Sequence, residues 1–392
     1  MVFVMTACAE NSSQSEKSQP AEQTTVQPTT MSAEEINDRK LDKFISDMTL
    51  EEKVGQMFFV RCPDEGAVQQ VSEYNIGGYI LFGRDFDGKT KDEVVDDIHS
   101  YQNEAAIPLL IGVDEEGGTV VRVSSNPNLR ETPFLSPKDT YADGGWDAVK
   151  QDAEEKADLL LSLGINVNLA PVCDMTSDEY AFMYDRSFSS DVDMENRYVR
   201  TVVETSKSKK LGTVLKHFPG YGNNSDTHTG IAYDDRDYSE FENTDFKLFY
   251  QGIESGADCI LVSHNIVNCM DSEYPASLSQ KVHDILRNEF KFDGVIMTDD
   301  LIMDAITDFT GDEAAAVTAA KCGNDLLCCS SVDTQYPAVL EAVQNGEISE
   351  AQVDASVKRI LKWKQNLGIF NIDTYQKKVK STEPTDTVES EE

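Results

Sequence analysis

Gly212-Thr213-Val214-Leu215-Lys216-His217-Phe218-Pro219-Gly220-Tyr221-Gly222 begins as a short buried run and turns abruptly into a loop of charged and aromatic residues. The first four residues read as a strand with no exposed face. Pro219 and the glycines at 220 and 222 exclude a helix through the loop. The loop runs on through Asp226 and His228 to Gly230. Polar side chains gathered where a buried strand ends serve a site, because the strand aims them and the loop can close on a ligand.

The same unit recurs along the chain. Apolar runs at 56–60, 78–82, 109–113, 166–170, 212–215, 259–263, 294–298 and 325–329 alternate with amphipathic stretches, for example 92–104, 147–163, 194–210, 241–256, 279–289 and 312–322. The runs are continuously apolar rather than alternating, as in strands buried on both faces of a parallel sheet wrapped by helices. About eight βα units predict an α/β fold, a single-domain (β/α)8 TIM-type barrel over residues 32–372, rather than an open doubly wound sheet. The first βα turn has no G-x-G-x-x-G, which weighs against a dinucleotide site. Ser32 with Glu35 has the spacing of a capping box that opens the first helix. Gly164, Gly212, Gly256 and Gly323 stand where helix C-caps are expected.

Composition narrows the partners. Seventy-one acidic against 34 basic residues give a formal charge of −37, so nucleic acid and anionic lipid surfaces would be repelled. No apolar run reaches the roughly 18 residues of a membrane-spanning helix. Residues 1–8 end in Thr6-Ala7-Cys8 and resemble the tail of a truncated bacterial lipoprotein signal, with Cys8 as the lipid anchor, although no basic leader precedes them. Residues 9–31 are Ser-, Gln-, Thr- and Pro-rich, the composition of a disordered tether. Residues 373–392 form an acidic tail. These features predict membrane attachment through Cys8 at the extracellular face of a bacterial cell; a cytoplasmic protein with a frayed N-terminus is the alternative. Cys173, Cys259, Cys328 and Cys329 lie in or beside apolar runs and read as small buried hydrophobes. The spacings are not metal-like, and neither a metal nor a cofactor is expected.

Catalysis on such a barrel takes place at the carboxyl ends of the strands. The residues found there are Asp114 to Arg122 after the third run, Asp174 and Arg186 after the fourth, and Lys216, His217, Asp226 and His228 after the fifth. His264 follows the sixth, and Asp299 and Asp300 the seventh. His99 and His283 read as ordinary helix-surface residues. Carboxylates and imidazoles converging with arginines and a lysine suit a hydroxyl-rich ligand and acid/base chemistry. Neighbouring residues on a strand point opposite ways, so only one of Asp299 and Asp300 should face a ligand. Glycines at 220, 222 and 230, with no apolar anchor between Tyr221 and Gly230, predict a loop that moves. A phosphate cradle at Gly220–Gly222 is disfavoured because no helix N-terminus clearly succeeds it.

The motifs Asp114-Glu115-Glu116-Gly117-Gly118-x-Val120-x-Arg122, Asn168-Leu169-Ala170-Pro171-Val172-x-Asp174, Asp185-Arg186-Ser187-Phe188, Lys216-His217-Phe218-Pro219-Gly220, Asp226-Thr227-His228 and Thr298-Asp299-Asp300-Leu301-x-Met303 resemble glycoside hydrolase family 3, in its single-barrel β-N-acetylglucosaminidase branch. They keep the family's order over residues 34 to 370. One departure is the three residues Asn223-Asn224-Ser225 before Asp226, where family members often carry four. The resemblance implies Asp299 as nucleophile, His228 paired with Asp226 as acid/base, and Asp114, Arg122, Arg186, Lys216, His217 and His264 as sugar-binding residues. A retaining hydrolase needs a carboxylate to attack the anomeric carbon and a group to protonate the leaving oxygen; histidine, titrating near neutrality, can give and take that proton. The activity so implied is a retaining exo-β-N-acetylglucosaminidase releasing terminal N-acetylglucosamine from cell-wall or chitin-derived glycans. The alternatives are a β-glucosidase, a phosphorylase on the same barrel, or a non-catalytic cell-wall-binding lipoprotein.

Overall fold

The computed structural model describes residues 31–224, 227, 230–310 and 312–376. Within them eight strands form one parallel sheet: β1 (Phe58–Arg61), β2 (Gly78–Leu81), β3 (Leu110–Val113), β4 (Val167–Asn168), β5 (Gly212–Phe218), β7 (Cys259–Val262), β9 (Val295–Thr298) and β10 (Leu327–Cys329). Two further strands, β6 (Tyr233–Asp234) and β8 (Ile266–Val267), pair outside the sheet. The order β10-β1-β2-β3-β4-β5-β7-β9 brings the last strand back beside the first. A parallel bridge between Met297 and Leu326, with the Cys328 N–H donating to Thr298 Oγ1 at 3.0 Å, joins β9 to β10. The eight runs found in the sequence are these eight strands, and the fold is the (β/α)8 TIM-type barrel they predict.

Local signals explain the frame. Ser32, Thr49 and Thr90 each open a helix with a reciprocal capping box to Glu35, Glu52 and Glu93. Gly256 ends the helix Asp245–Ser255 in the left-handed conformation, as expected. Gly212 does not cap its helix. Lys210 takes the left-handed position after Val192–Lys209, and Gly212 opens β5. A Cβ at Gly212 would lie 3.1 Å from the Trp363 indole nitrogen and 3.2 Å from Val167, so the residue is small because packing requires it. Phe58, Phe59 and Tyr79 fill the interior. A second aromatic cluster stacks behind β5, with ring centroids of Phe218 and Phe249 5.0 Å apart and of Phe246 and Phe290 5.1 Å apart. It fixes the strand whose far end carries Lys216 and His217.

One further expectation is corrected. His283 is not on a surface: it is 1% exposed, Nδ1 lies 2.8 Å from the Ser279 carbonyl, and burial holds its pKa below the ordinary histidine value. Packing also continues past Phe370. Tyr375 sets its ring edge against Phe44 at 5.0 Å, and Asp373 pairs with Lys40 at 2.5 Å. Cys173, Cys259, Cys328 and Cys329 are buried. Cys8 and most of the expected acidic tail lie outside the described residues.

Candidate active site

A cleft of about 530 Å³ opens at the carboxyl end of the barrel. Asp114, Arg122, Arg186, Lys216, His217 and Asp299, six of the residues singled out in the sequence, line it together. Their geometry follows from where the strands end. Lys216, near the end of β5, places Nζ 2.6 Å from Asp114 Oδ1 and 2.6 Å from Glu116 Oε1. Arg186 grips Glu116 with both arms of its fork, Nη2 to Oε1 at 2.7 Å and Nε to Oε2 at 2.9 Å. Burial alone would raise Glu116, but the adjacent Lys216 and Arg186 charges outweigh it and hold the carboxyl well below the usual carboxylate range. Burial opposes charge on Lys216 and Arg186 as well; the surrounding carboxylates overcome it, and both pKa values lie above the ordinary ones.

Asp174, with no exposed surface, organises the next layer. Its Oδ2 sits 2.7 Å from His217 Nδ1 and accepts the His217 backbone N–H at 3.1 Å, while Oδ1 accepts the Tyr221 N–H at 2.7 Å. An Nδ1–H donated to Asp174 leaves Nε2 as an acceptor facing Arg186 Nη2 at 3.4 Å. Glu115 turns away from the cleft. Its carboxylate accepts the backbone N–H groups of Arg122 at 2.9 Å and Val123 at 2.7 Å and the Ser124 hydroxyl, and so folds the loop that delivers Arg122. Neither Glu115, locked in its own loop, nor Glu116, held ionised between two cations, has the character of a proton donor.

Asp299 succeeds the last residue of β9; its N–H donates to the Val262 carbonyl at 3.2 Å and its Oδ1 accepts the Asp300 N–H at 2.9 Å. Both aspartates line the cleft, because they lie beyond the strand and its alternation no longer governs them. Their side chains are differently engaged: Asp300 accepts the Ser330 hydroxyl at 2.5 Å and the Ile302 N–H at 3.2 Å, and burial raises its pKa. His264 stands behind the cleft rather than on it. It is fully buried, with Nδ1 2.7 Å from Ser277 Oγ and Nε2 3.1 Å from the Asp300 carbonyl, so it supports the backbone around the aspartates.

Asp226 and His228 lie outside the described residues. The residue between them does not. Thr227 is 1% exposed; its Oγ1 is 2.5 Å from the Tyr221 hydroxyl, which also accepts its N–H at 3.1 Å. Thr227 is thus tied to Tyr221 by polar contacts, which a search for apolar residues does not reveal. Gly220 is forced by close packing, since a Cβ there would fall 1.9 Å from Asp245 Oδ1 at a φ of +128°. Glu116 and Asp174 stand in the sequence motifs with no role marked for them. Arg61, Phe82, Phe182 and Ile302, which the motifs do not include, also line the cleft. Arg61 ends β1, so the strand-end rule could have found it; nothing local marks Phe182. Among the described residues no cluster of three or more His, Cys, Asp or Glu side chains could hold a metal ion.

A polar cleft with two carboxylates at the end of the seventh barrel strand, facing an ordered lattice of cations and acids, is that of a barrel enzyme for a polyhydroxylated ligand. Residues 49–363 match the Glycosyl hydrolase family 3 N terminal domain. A beta-hexosaminidase of Hydrogenovibrio crunogenus is 31% identical over 286 residues, covering 71% of this chain and 79% of that protein. A family 3 beta-N-acetylglucosaminidase structure from Paenibacillus superposes with a TM-score of 0.77 at 30% identity, covering 82% of this chain and 63% of that one. A family 3 glycosyl hydrolase from Mycobacterium smegmatis gives a TM-score of 0.74 at 26% identity, covering 83% of this chain and 98% of that one. The chain belongs to glycoside hydrolase family 3 and is a glycoside hydrolase.

Proposed function

We propose that this enzyme is a retaining exo-β-N-acetylglucosaminidase that releases terminal N-acetylglucosamine from cell-wall or chitin-derived glycans. The observation that carries the reading is the shared cleft: Asp299 opens into the same space as the Asp114–Lys216–Glu116–Arg186 lattice. The names of the relatives support the N-acetylglucosaminide class. In this mechanism the lattice binds the hydroxyls of the non-reducing sugar. Asp114 accepts from them; Lys216, Arg186 and Arg122 donate. Pairing beforehand fixes Asp114, Lys216 and Arg186, so little ordering of these three remains to be done on binding. Asp299 attacks the anomeric carbon and forms a covalent glycosyl-enzyme. His228, held by Asp226, protonates the leaving oxygen and then takes the proton from water. Phe182 and Ile302, both partly exposed at the mouth, offer apolar surface to the leaving group. A lipid on Cys8 would hold the barrel at the outer face of the membrane, which detergent partitioning of wild type against Cys8→Ala tests.

Turnover of aryl N-acetyl-β-glucosaminide against aryl β-glucoside, with and without inorganic phosphate, tests the substrate class. Preference for the glucoside, or a sugar phosphate as main product, would replace the reading with one of its rivals. Proton NMR of early product should show the β anomer first, because two displacements restore configuration. His228→Ala should slow cleavage of disaccharides far more than of activated phenyl glycosides. Equal losses would remove His228 from the proton-donor role.

A further inference from the structure

Arg236, two residues past β6, does not line the cleft, yet it grips the loop that leaves β5. Its Nε donates to both oxygens of Asp234, at 3.1 and 3.0 Å, and its Nη2 to Asp234 Oδ2 at 2.8 Å. Nη1 donates to Asp245 Oδ2 at 2.9 Å. The Phe241 ring lies against the guanidinium, its centroid 4.1 Å from Cζ. Two contacts reach the loop. Nη2 donates to the Gly220 carbonyl at 3.1 Å, and a Cβ at Gly222 would fall 2.8 Å from Cζ. Asp234 adds a third by accepting Asn224 Nδ2 at 3.0 Å.

Tyr221 stands between the two glycines that Arg236 touches. Its N–H donates to Asp174 Oδ1 at 2.7 Å, its ring meets His217 edge-on with centroids 5.5 Å apart, and its hydroxyl accepts the Thr227 N–H at 3.1 Å. Thr227 is the residue between Asp226 and His228. A continuous chain of contacts therefore runs from Arg236 through Gly220 and Gly222 to Tyr221, and from Tyr221 to Thr227. Both glycines make the approach possible: φ is +128° at Gly220 and +55° at Gly222, and Asp245 and Arg236 fill the space that side chains would need. A cluster serving stability alone could close on itself. This one sets a donor on a loop carbonyl and a guanidinium against a loop glycine, so the rigid fork fixes where the loop backbone lies.

We propose that Arg236 is a positioning residue for proton transfer: by holding Gly220 and Gly222 it places Tyr221 and Thr227, and with Thr227 the flanking Asp226 and His228. The proposal rests on His228 being the acid/base, and it gives Arg236 no contact with substrate.

The test compares kcat/KM for a disaccharide and for an aryl glycoside with an activated phenol, since only the first depends strongly on proton donation to the leaving oxygen. Arg236→Ala should lower the disaccharide value about thirtyfold more than the aryl value, as misplacement of a reacting group does. Arg236→Lys keeps the charge without the fork and should show the same selectivity to a smaller degree. Asn224→Ala loosens the same hold from the loop side without breaking an ion pair. It should show a selective loss of about fivefold, and it keeps the proposal testable if the arginine variants fail to fold. Thermal unfolding of each variant shows which remain folded. Equal losses on the two substrates in the folded variants, while His228→Ala remains selective, overturn the proposal and leave the acid/base reading standing. Equal losses in His228→Ala as well strike that reading and the proposal with it.

Discussion

At the carboxyl end of the barrel, Lys216, Glu116, Arg186 and Asp114 share short ion pairs beside an open cleft. At the amino end, Asp325 is bound as densely. It accepts from Arg287 at 2.5 Å, Ile296 N at 2.9 Å, Ser356 at 2.9 Å and Arg359 at 3.0 Å, and is 1% exposed. The two clusters have similar chemistry and different uses. Asp325 ties a helix, a strand and the C-terminal helix Glu350–Asn366 into one unit, and its acceptor sites are filled by protein. The upper cluster leaves valences facing open space, where sugar hydroxyls can complete them. Density of ion pairs alone therefore does not mark a site; a cavity against which the pairs are incomplete does.

The largest expected effect belongs to a residue in neither cluster. Asp299→Ala should lower kcat on the order of 10⁴- to 10⁶-fold, as loss of a nucleophile does. Thermal unfolding should barely move, because Asp299 sits on the rim. Near-normal turnover in the folded variant would transfer the nucleophile role elsewhere and dissolve the contrast between a reacting rim and an inert base. The second effect lies at the base. Asp325→Ala leaves two arginines facing each other, and loss of one partner from such a buried cluster costs about 3–5 kcal/mol. Urea unfolding reads this directly. The kcat of whatever fraction stays folded should be unchanged; a change would mean that the two ends are coupled.

Glu116→Gln comes third. It keeps the shape and removes the charge shared by Lys216 and Arg186, so a loss of about 2 kcal/mol in stability and a raised KM are expected. Glu116 is depressed in the folded state, so its contribution is present above the ordinary carboxylate pKa of 4.5 and fades as pH falls below that. Wild type and Glu116→Gln should therefore converge in stability on acidification. A gap that persists at low pH would show that the pairing is not electrostatic.

The same contrast explains which features the sequence disclosed. Strand ends were legible because a continuously apolar run stops abruptly at Asp114, Lys216 and Asp299, and a barrel sends all such ends to one rim. Roles inside the rim were less legible. Glu115 and Glu116 are adjacent and identical in type, yet one folds a loop and the other binds two cations across strands. That difference depends on partners 70 and 100 residues away, Arg186 and Lys216. His264 looked like a ligand-facing residue because it comes after a strand, but Ser277, brought back by a later turn, occupies one of its nitrogens. His283 looked exposed from helical spacing, and only packing against Cys322 and Ser279 places it inside.

The smallest effect carries the opposite sign and tests the base again. Lys364 is fully buried, its Nζ donates to Gln56 Oε1 at 2.8 Å, and burial lowers its pKa from 10.5 to about 7. Among the described residues no carboxylate compensates it, unlike Lys216. Between about pH 7 and 10.5 the unfolded chain holds a proton on this amine that the folded chain has released, so this residue's contribution makes stability rise with pH across that window. Below about pH 7 both states hold the proton and the full cost of burying the charge remains. Lys364→Met should therefore stabilise the protein at or below neutrality. The removed desolvation cost exceeds the lost Gln56 hydrogen bond, and a net gain of about 2 kcal/mol is expected. Measured as the difference between variant and wild type, which cancels all other titrations, the gain should shrink steadily toward pH 10. A destabilised variant, or a gain independent of pH, would mean that Lys364 stays charged against Gln56. The base of the barrel would then hold a second buried cation as firmly as the rim holds Lys216.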